Sequence, residues 1–253
     1  MSDTSSSTNE TKSSSTGTST MSVPAAIVVA GGLIAAAVYF GGASAPAPVV
    51  PAVPDQAGSA AAGGGSAAQE EAVGEYRPIT EGDHIRGAAD AKVTILEYSD
   101  LECPFCKQFH PVLQQAAEEY PDDVKWVYRH FPLAQLHPKA PHEAEAAECA
   151  GEQGKFWEFI DRVFAVTPGN NGLDPAQLPV IAKDIGVANI PQFETCLTSG
   201  KYANAVQADA ADATAAGGRG TPYTILLGAD GQKVPLPGAV PYEQVKAQIE
   251  QLL

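Results

Sequence analysis

The pattern of apolar and polar positions between residues 83 and 131 predicts strands in some segments and a helix in another. Residues 92–99 and 124–131 are rich in β-branched and aromatic side chains, which predicts two strands. Between them, apolar side chains recur three and four positions apart from Cys103 to about Tyr120, the spacing of a helix with one buried face. With an edge-strand candidate at 83–87, this order predicts a β-α-β unit.

The rest of the chain continues with helices and returns to strands. A helical period holds over about 135–217, and two short strands at 221–227 and 233–236 are then joined by a Gly-Ala-Asp-Gly turn. A last helix over 242–253 follows. The order β-α-β, helices, β-β-α predicts one α/β domain, residues 76–253, with a helical segment inserted into a central sheet.

The chain before residue 76 predicts three segments and no core. Residues 1–22 are a polar, Ser/Thr-rich tail that we expect to be disordered. Residues 23–42 predict a transmembrane anchor, because at about 1.5 Å per residue an uncharged helix of this length spans a hydrocarbon core of ~30 Å. Residues 43–75, rich in Ala, Pro and Gly, predict a linker. A cleaved signal peptide is the alternative, since Ala43-Ser44-Ala45 fits a cleavage site.

Basic residues set the expected orientation of the anchor. Lys12 precedes the apolar segment, and the next basic residue is Arg77. The positive-inside rule therefore favours a cytoplasmic N-terminus and an extracytoplasmic domain. We expect a single-pass protein of the cell membrane, or a secreted protein if the segment is cleaved.

Charge and cysteine content narrow the function classes. The chain carries 15 Lys and Arg against 30 Asp and Glu, a net charge of −15. This balance argues against nucleic acid and anionic membrane surfaces as partners. All 4 cysteines lie in the predicted domain, and an even number in an exported domain suits two disulfides.

The stretch Cys103-Pro104-Phe105-Cys106 carries the clearest chemistry. A strand is predicted to end just before it, so the free N–H groups and partial positive charge of the following helix favour a thiolate there. Pro104 suits the first helical turn, which does not need its missing N–H. We therefore predict a thiol–disulfide exchange site. Structural zinc is the alternative, but it needs four ligands and the sequence has no second close pair, so we expect neither metal nor cofactor.

Several motifs, taken in order, resemble the DsbA-like branch of the thioredoxin fold, in particular membrane-tethered bacterial thiol–disulfide oxidoreductases. The resemblance covers about residues 83–253 and implies a thioredoxin fold with an inserted helical subdomain. Its motifs are Glu97-Tyr98-Ser99-Asp100-Leu101-Glu102-Cys103-Pro104-Phe105-Cys106, Arg129-His130-Phe131-Pro132-Leu133, Gly154-Lys155-Phe156-Trp157-Glu158-Phe159 and Gly218-Arg219-Gly220-Thr221-Pro222.

The resemblance implies a role for each residue of the cysteine motif. Cys103 resembles the exposed attacking cysteine and Cys106 the more buried resolving one, with a mixed disulfide to substrate forming on Cys103. Pro104 and Phe105 tune the pKa of Cys103 in this family. Because Phe105 offers neither a charge nor a hydrogen bond, we expect a milder oxidant than members with histidine there.

Further residues complete the expected site. Glu97 matches an acidic position under the family's active site, and strand alternation is compatible with a place near Cys106, whose proton it would shuttle; a solvent-exposed strand glutamate is the alternative. Thr221-Pro222 resembles the cis-proline loop that faces the cysteines, where the Thr221 backbone pairs with an extended substrate. His110, on nearly the same helix face as Cys103, would tune the thiolate, or else it packs or meets solvent.

Cys149 and Cys196 lie on different predicted helices of the insertion, where some family members carry an extra pair. The resemblance implies a structural disulfide, which would stabilise the fold by ~3–4 kcal/mol by restricting the unfolded chain. Two buried free thiols are the alternative.

These expectations describe an extracytoplasmic enzyme that introduces disulfides into reduced exported proteins. By resemblance, a quinone-linked membrane protein reoxidises it, and we expect a monomer because the sequence shows no dimerisation module. A disulfide isomerase or reductase of the same fold, and a tethered chaperone-like peptide-binding module, are the alternatives.

Overall fold

The central strand, β2 (Val93–Ser99), is apolar at most positions because helices cover both of its faces. The computed structural model describes residues 73–253, and all seven residues of β2 are buried. Ile95 packs with the core on one face of the sheet, and Leu96 packs with the core on the other. Glu97, the one carboxylic acid on this strand, is fully buried among them.

Five strands form one mixed sheet in the order β1-β3-β2-β4-β5. β2 runs parallel to β3 and antiparallel to β4, while β1 and β5 pair antiparallel at the two edges. The other strands are β1 (His84–Gly87), β3 (Val124–His130), β4 (Tyr223–Gly228) and β5 (Lys233–Pro237). A parallel pair needs a crossover, which α1 (Pro104–Glu119) supplies, so the predicted β-α-β unit is confirmed.

Helices cover both faces of this sheet and fill the predicted insertion. α1 and α7 (Tyr242–Leu252) pack on one face, and α6 (Ala203–Ala215) packs on the other. The insertion before α6 holds α2 (Ala140–Gly151), α3 (Phe156–Val166), a 3-10 turn (Pro175–Gln177), α4 (Leu178–Asp184) and α5 (Ile190–Thr198). A disulfide joins Cys149 of α2 to Cys196 of α5. The expected α/β thioredoxin fold with a helical insertion is confirmed.

Contacts with the domain begin before its predicted boundary at residue 76. Gly74 N–H donates to the Ala216 carbonyl at 2.9 Å. A Cβ on Gly74 would lie 2.1 Å from a backbone oxygen, so only glycine permits this approach. Buried Arg129 holds the following residues by donating to the Arg77 and Pro78 carbonyls at 3.0 and 3.2 Å and by an ion pair of 2.7 Å with Asp83, and it pairs with Asp212 of α6 at 2.7 Å.

The predicted tail, the predicted anchor at 23–42 and the linker up to residue 72 lie outside the described residues. Among residues 73–253, no helix combines the length and the apolar character needed to cross a bilayer.

Candidate active site

Cys103 ends the turn that leads from β2 into α1. Its backbone is extended (φ −75°, ψ 122°), it occupies the N-cap of α1, and Pro104 follows in the first turn. This position places the Cys103 sulfur beside the free N–H groups of the first turn, and the N–H groups of Phe105 and Cys106 contribute to a lowered pKa of Cys103. Cys106 lies on the inner face of the helix and is fully buried. The two sulfurs therefore share one helix start but have different surroundings.

The loop before β4 brings a third segment to the cysteines. The Thr221–Pro222 peptide bond is cis, and the Cys103 thiol donates to the Thr221 carbonyl oxygen at 3.4 Å. Both active-site cysteines are free thiols, so the structure represents the reduced protein. Thr221-Pro222 thus faces the cysteines as expected. Cys103 is more covered than expected, with 4% of its surface exposed, because neighbouring segments such as the Thr221 loop pack against it.

The two thiols differ in acidity. A hydrogen bond from the Cys106 thiol, followed by the Thr221 side chain and the helix N–H groups, lowers the pKa of Cys103 to about 6. Burial, reinforced by the charge of Cys103, raises the pKa of Cys106 well above its ordinary value. At neutral pH Cys103 is therefore mostly thiolate while Cys106 keeps its proton, the difference that an attacking and a resolving cysteine need.

Glu97 lies near Cys106, and the alternative of a solvent-exposed strand residue is wrong because the side chain is fully buried. Its Oε2 accepts a hydrogen bond from the Trp126 indole at 3.0 Å, and Oε1 has no hydrogen-bond partner among the described residues. Burial raises the pKa of Glu97 to about 7, and the Glu97 charge contributes to the raised pKa of Cys106. A carboxyl group that titrates near neutral pH can accept and return a proton there.

His110 makes its hydrogen bond to Asp161 rather than to either cysteine, with Nε2 and Oδ1 2.8 Å apart. The ring packs against Trp126 and Phe164, at centroid distances of 5.1 and 4.7 Å, and burial lowers the pKa of His110. Seven residues of helix rise by ~10 Å, so sharing a face with Cys103 does not bring the two side chains together. The structure therefore shows the packed alternative, and the expected contact with the thiolate is absent from it.

Asp100, in the turn before Cys103, was not predicted to take part in the site. Its Oδ2 accepts from the Leu133 N–H at 2.8 Å and lies 2.9 Å from His137 Nδ1, and its own N–H donates to Cys106 Sγ at 3.5 Å. Burial opposes a charge on His137, but Asp100 raises the pKa of His137 above its ordinary value. Asp100 therefore fixes the turn that carries the cysteines. In the sequence, only its position within the cysteine motif could have indicated this role.

Glu102, the residue before Cys103, fastens a loop of the helical insertion to the motif. Its two carboxylate oxygens accept from the N–H groups of Gly172 and Leu173 at 3.1 and 3.2 Å, and its carbonyl accepts from the Asn170 N–H at 2.7 Å. The loop passes through positive φ angles of 52° at Asn170 and 65° at Asn171. Residues other than glycine rarely adopt this backbone conformation, so surrounding contacts must hold the loop in it. Glu102 supplies three of those contacts.

A further buried acid, Glu143, lies beside Glu102. Burial, followed by interaction with Glu102, raises the pKa of Glu143 to about 9, so it is neutral at pH 7. Within residues 73–253, no cluster of three or more His, Cys, Asp or Glu side chains is arranged to hold a metal ion. Asp100 and Glu102 instead bind N–H groups and His137, whereas neither Glu143 oxygen has a hydrogen-bond partner among the described residues.

Comparison with known proteins identifies the class to which this site belongs. A family model described as thioredoxin matches residues 79–251. The chain therefore belongs to the thioredoxin family, and its likeness to a DsbA structure that is more than 30% identical marks it as a DsbA-like member of that superfamily.

Two solved structures illustrate the likeness. DsbA2 of Pseudomonas aeruginosa is 32% identical, with a TM-score of 0.60 over 70% of this chain and 97% of that one. The alpha-DsbA1 protein of Wolbachia pipientis is 22% identical, with a TM-score of 0.60 over 69% of this chain and 92% of its own, and it supports the fold alone.

Curated relatives carry a different name. A Na(+)/H(+) antiporter NhaA 1 of Mycolicibacterium gilvum is 37% identical over 155 residues, which are 60% of this chain and 24% of the antiporter. The chain thus spans about a quarter of the length of the curated relatives it matches.

The low pKa of Cys103 predicts a titration near pH 6. Thiolate absorbance and alkylation of Cys103 in the reduced protein should rise with a midpoint of about 6, because a lowered pKa leaves the thiol deprotonated above that pH. Replacing Cys106 by Ala removes the largest stabilising contact and should move the midpoint upward. A midpoint near the ordinary value of 9.0 in the unaltered protein, or the same midpoint in both proteins, would contradict this account.

Proposed function

We propose that the protein is a thiol–disulfide oxidoreductase that introduces disulfides into exported proteins through Cys103 and Cys106. The observation that carries the proposal is the unequal thiol pair at one helix start: Cys103 with a lowered pKa faces the Thr221-Pro222 loop, and Cys106 with a raised pKa is buried behind it.

The proposed reaction begins with the Cys103–Cys106 disulfide. A substrate thiolate attacks Cys103 Sγ, the Cys103–Cys106 bond breaks, and Cys106 leaves as a thiolate that takes a proton from Glu97. A second substrate thiolate then attacks the substrate sulfur of the mixed disulfide and displaces the Cys103 thiolate. Two electrons pass from the substrate dithiol to the protein dithiol, and the substrate leaves with a new disulfide.

The acidity of Cys103 favours the oxidising direction. With a pKa of about 6, the thiol is ~90% ionised at pH 7, against ~1% at the ordinary 9.0. Ionisation stabilises the reduced form by about tenfold in the exchange equilibrium, which corresponds to ~30 mV. Phe105 adds no charge or hydrogen bond beyond this, so we place the protein among the milder oxidants of its kind.

The location and partners are part of the same proposal. A membrane anchor at 23–42 would hold the domain outside the cytoplasm, and the Cys149–Cys196 disulfide supports that side because such bonds persist in oxidising compartments. A quinone-linked membrane protein would reoxidise Cys103 and Cys106. We do not extend ion transport to this chain, since the match covers 24% of the antiporter.

Refolding assays test the proposed direction. The oxidised protein should restore activity to reduced, unfolded ribonuclease, and it should rescue ribonuclease with scrambled disulfides poorly, because its pair exists mainly as a disulfide. The Cys103→Ser variant should lose all thiol exchange. Better rescue of the scrambled substrate than of the reduced one would instead indicate an isomerase. A holdase would show no thiol exchange in the unaltered protein, and its Cys103→Ser variant would suppress aggregation as well as the unaltered protein does.

Glu97→Gln tests the proton step. Substrate oxidation at pH 7 should slow by at least about tenfold, because no carboxyl group protonates the leaving Cys106 thiolate. The rate should also lose its dependence on a group of pKa about 7. Stopped-flow tryptophan fluorescence measures both effects, with Glu118→Gln on the exposed side of α1 as the control. A Glu97 variant with the same rate and pH profile as that control would exclude the role.

A further inference from the structure

A cavity of about 200 Å³ opens beside the loop that faces Cys103. It is lined by the segment that leads into β4, including Arg219, Pro222 and Tyr223, and by Pro237 at the end of β5. The Gly238 N–H donates to the Pro222 carbonyl at 2.9 Å, which holds these two segments together. The volume is of the size of one large side chain.

The cavity lies close enough to the Cys103 sulfur for a bound peptide to reach it one or two residues away from its reacting cysteine. Thr221, which also lines the cavity, places its carbonyl oxygen 3.4 Å from Cys103 Sγ. An extended peptide advances ~3.3 Å per residue. A substrate whose cysteine sits at Cys103 therefore brings the side chain of a neighbouring residue to this cavity.

Arg219 gives the cavity its chemical character. It is exposed, and among the described residues it has no hydrogen bond or ion pair, whereas Arg77, Arg86 and Arg129 pair with carboxylates. It is also the one charged side chain among the described residues that line the cavity. Residues 76–253 carry 14 basic and 24 acidic side chains, so the domain as a whole is acidic. A cavity whose one charged side chain is basic differs from the rest of this surface.

We propose that this cavity is a substrate subsite for an acidic side chain next to the reactive cysteine, with Arg219 as the residue that sets the preference. The guanidinium offers a planar fork of N–H donors that matches a carboxylate. Pro222, Tyr223 and Pro237 line the cavity beside it. The inference rests on the proposed function and adds to it a class of substrate sequence.

Short reduced peptides test this preference directly. Peptides that differ only in Glu, Gln or Lys beside the cysteine are reacted with the oxidised full chain, and rates are compared per thiolate after each peptide's thiol pKa is measured. The Glu peptide should react about two- to fivefold faster than the Gln peptide. Added salt should shrink that ratio, because screening weakens the ion pair.

Variants of Arg219 assign the preference to the residue. Arg219→Gln should bring the Glu-to-Gln ratio close to one, and Arg219→Glu should instead favour the Lys peptide. Lys233→Gln removes the same charge from the start of β5 and should keep the ratio of the unaltered protein.

The outcomes separate this inference from the proposed function. Equal rates for the Glu and Gln peptides, with peptide oxidation intact, would overturn the subsite and leave the oxidoreductase standing. A Glu preference that survives Arg219→Gln would also overturn it. Failure to oxidise any peptide would overturn both.

Discussion

The hydrogen bonds that stabilise the Cys103 thiolate at the start of α1 are the interaction on which the site depends. The Cys106 thiol makes the largest contribution to the lowered pKa, the N–H groups of the first helical turn make smaller ones, and both need β2, the turn and α1 to meet in one geometry. Without them, the Cys103 thiol would lose the lowered pKa that makes it the better leaving group, and only the burial of Cys106 would distinguish the two cysteines. The proposed chemistry therefore follows from where the strand ends and the helix begins.

Four buried acids lie in or beside the cysteine motif, where uncompensated negative charge would oppose a thiolate. Asp100 meets a backbone N–H and His137, and Glu102 meets two backbone N–H groups. Glu97 and Glu143 have raised pKa values of about 7 and about 9, so their negative charge at neutral pH is reduced or absent. Asp100 and Glu102 thus position the motif, and Glu97 and Glu143 can hold a proton. The four acids therefore add little electrostatic repulsion to the Cys103 thiolate.

The sequence predicted the elements whose signal is local. The apolar run of β2, the helical spacing after Cys103 and the two cysteines three apart define the strand, helix and thiol pair without distant contacts. Glu97 was placed correctly near Cys106 by strand alternation combined with the family resemblance.

Other features of the site depend on contacts that no local pattern records. Asp100 and Glu102 act through partners 33 and 71 residues away, Leu133 and Leu173, so their roles emerge only once the insertion folds back on the motif. His110 shares the helix face of Cys103, but seven residues separate the two by ~10 Å along the axis, and its hydrogen-bond partner, Asp161, lies on α3, which no local pattern records. Arg219 belonged to a motif of the resemblance, yet its unpaired state within residues 73–253 is visible only in three dimensions.

The reduction potential of the Cys103–Cys106 pair, measured by equilibration with glutathione at pH 7, tests the central claim most directly. An ionised Cys103 and an uncharged Phe105 predict a value more oxidising than the ~−270 mV typical of thioredoxin and less oxidising than the ~−120 mV of the strongest DsbA proteins. A potential at or below that of thioredoxin would contradict the account, because the stabilised thiolate would then not be driving the pair toward its reduced form.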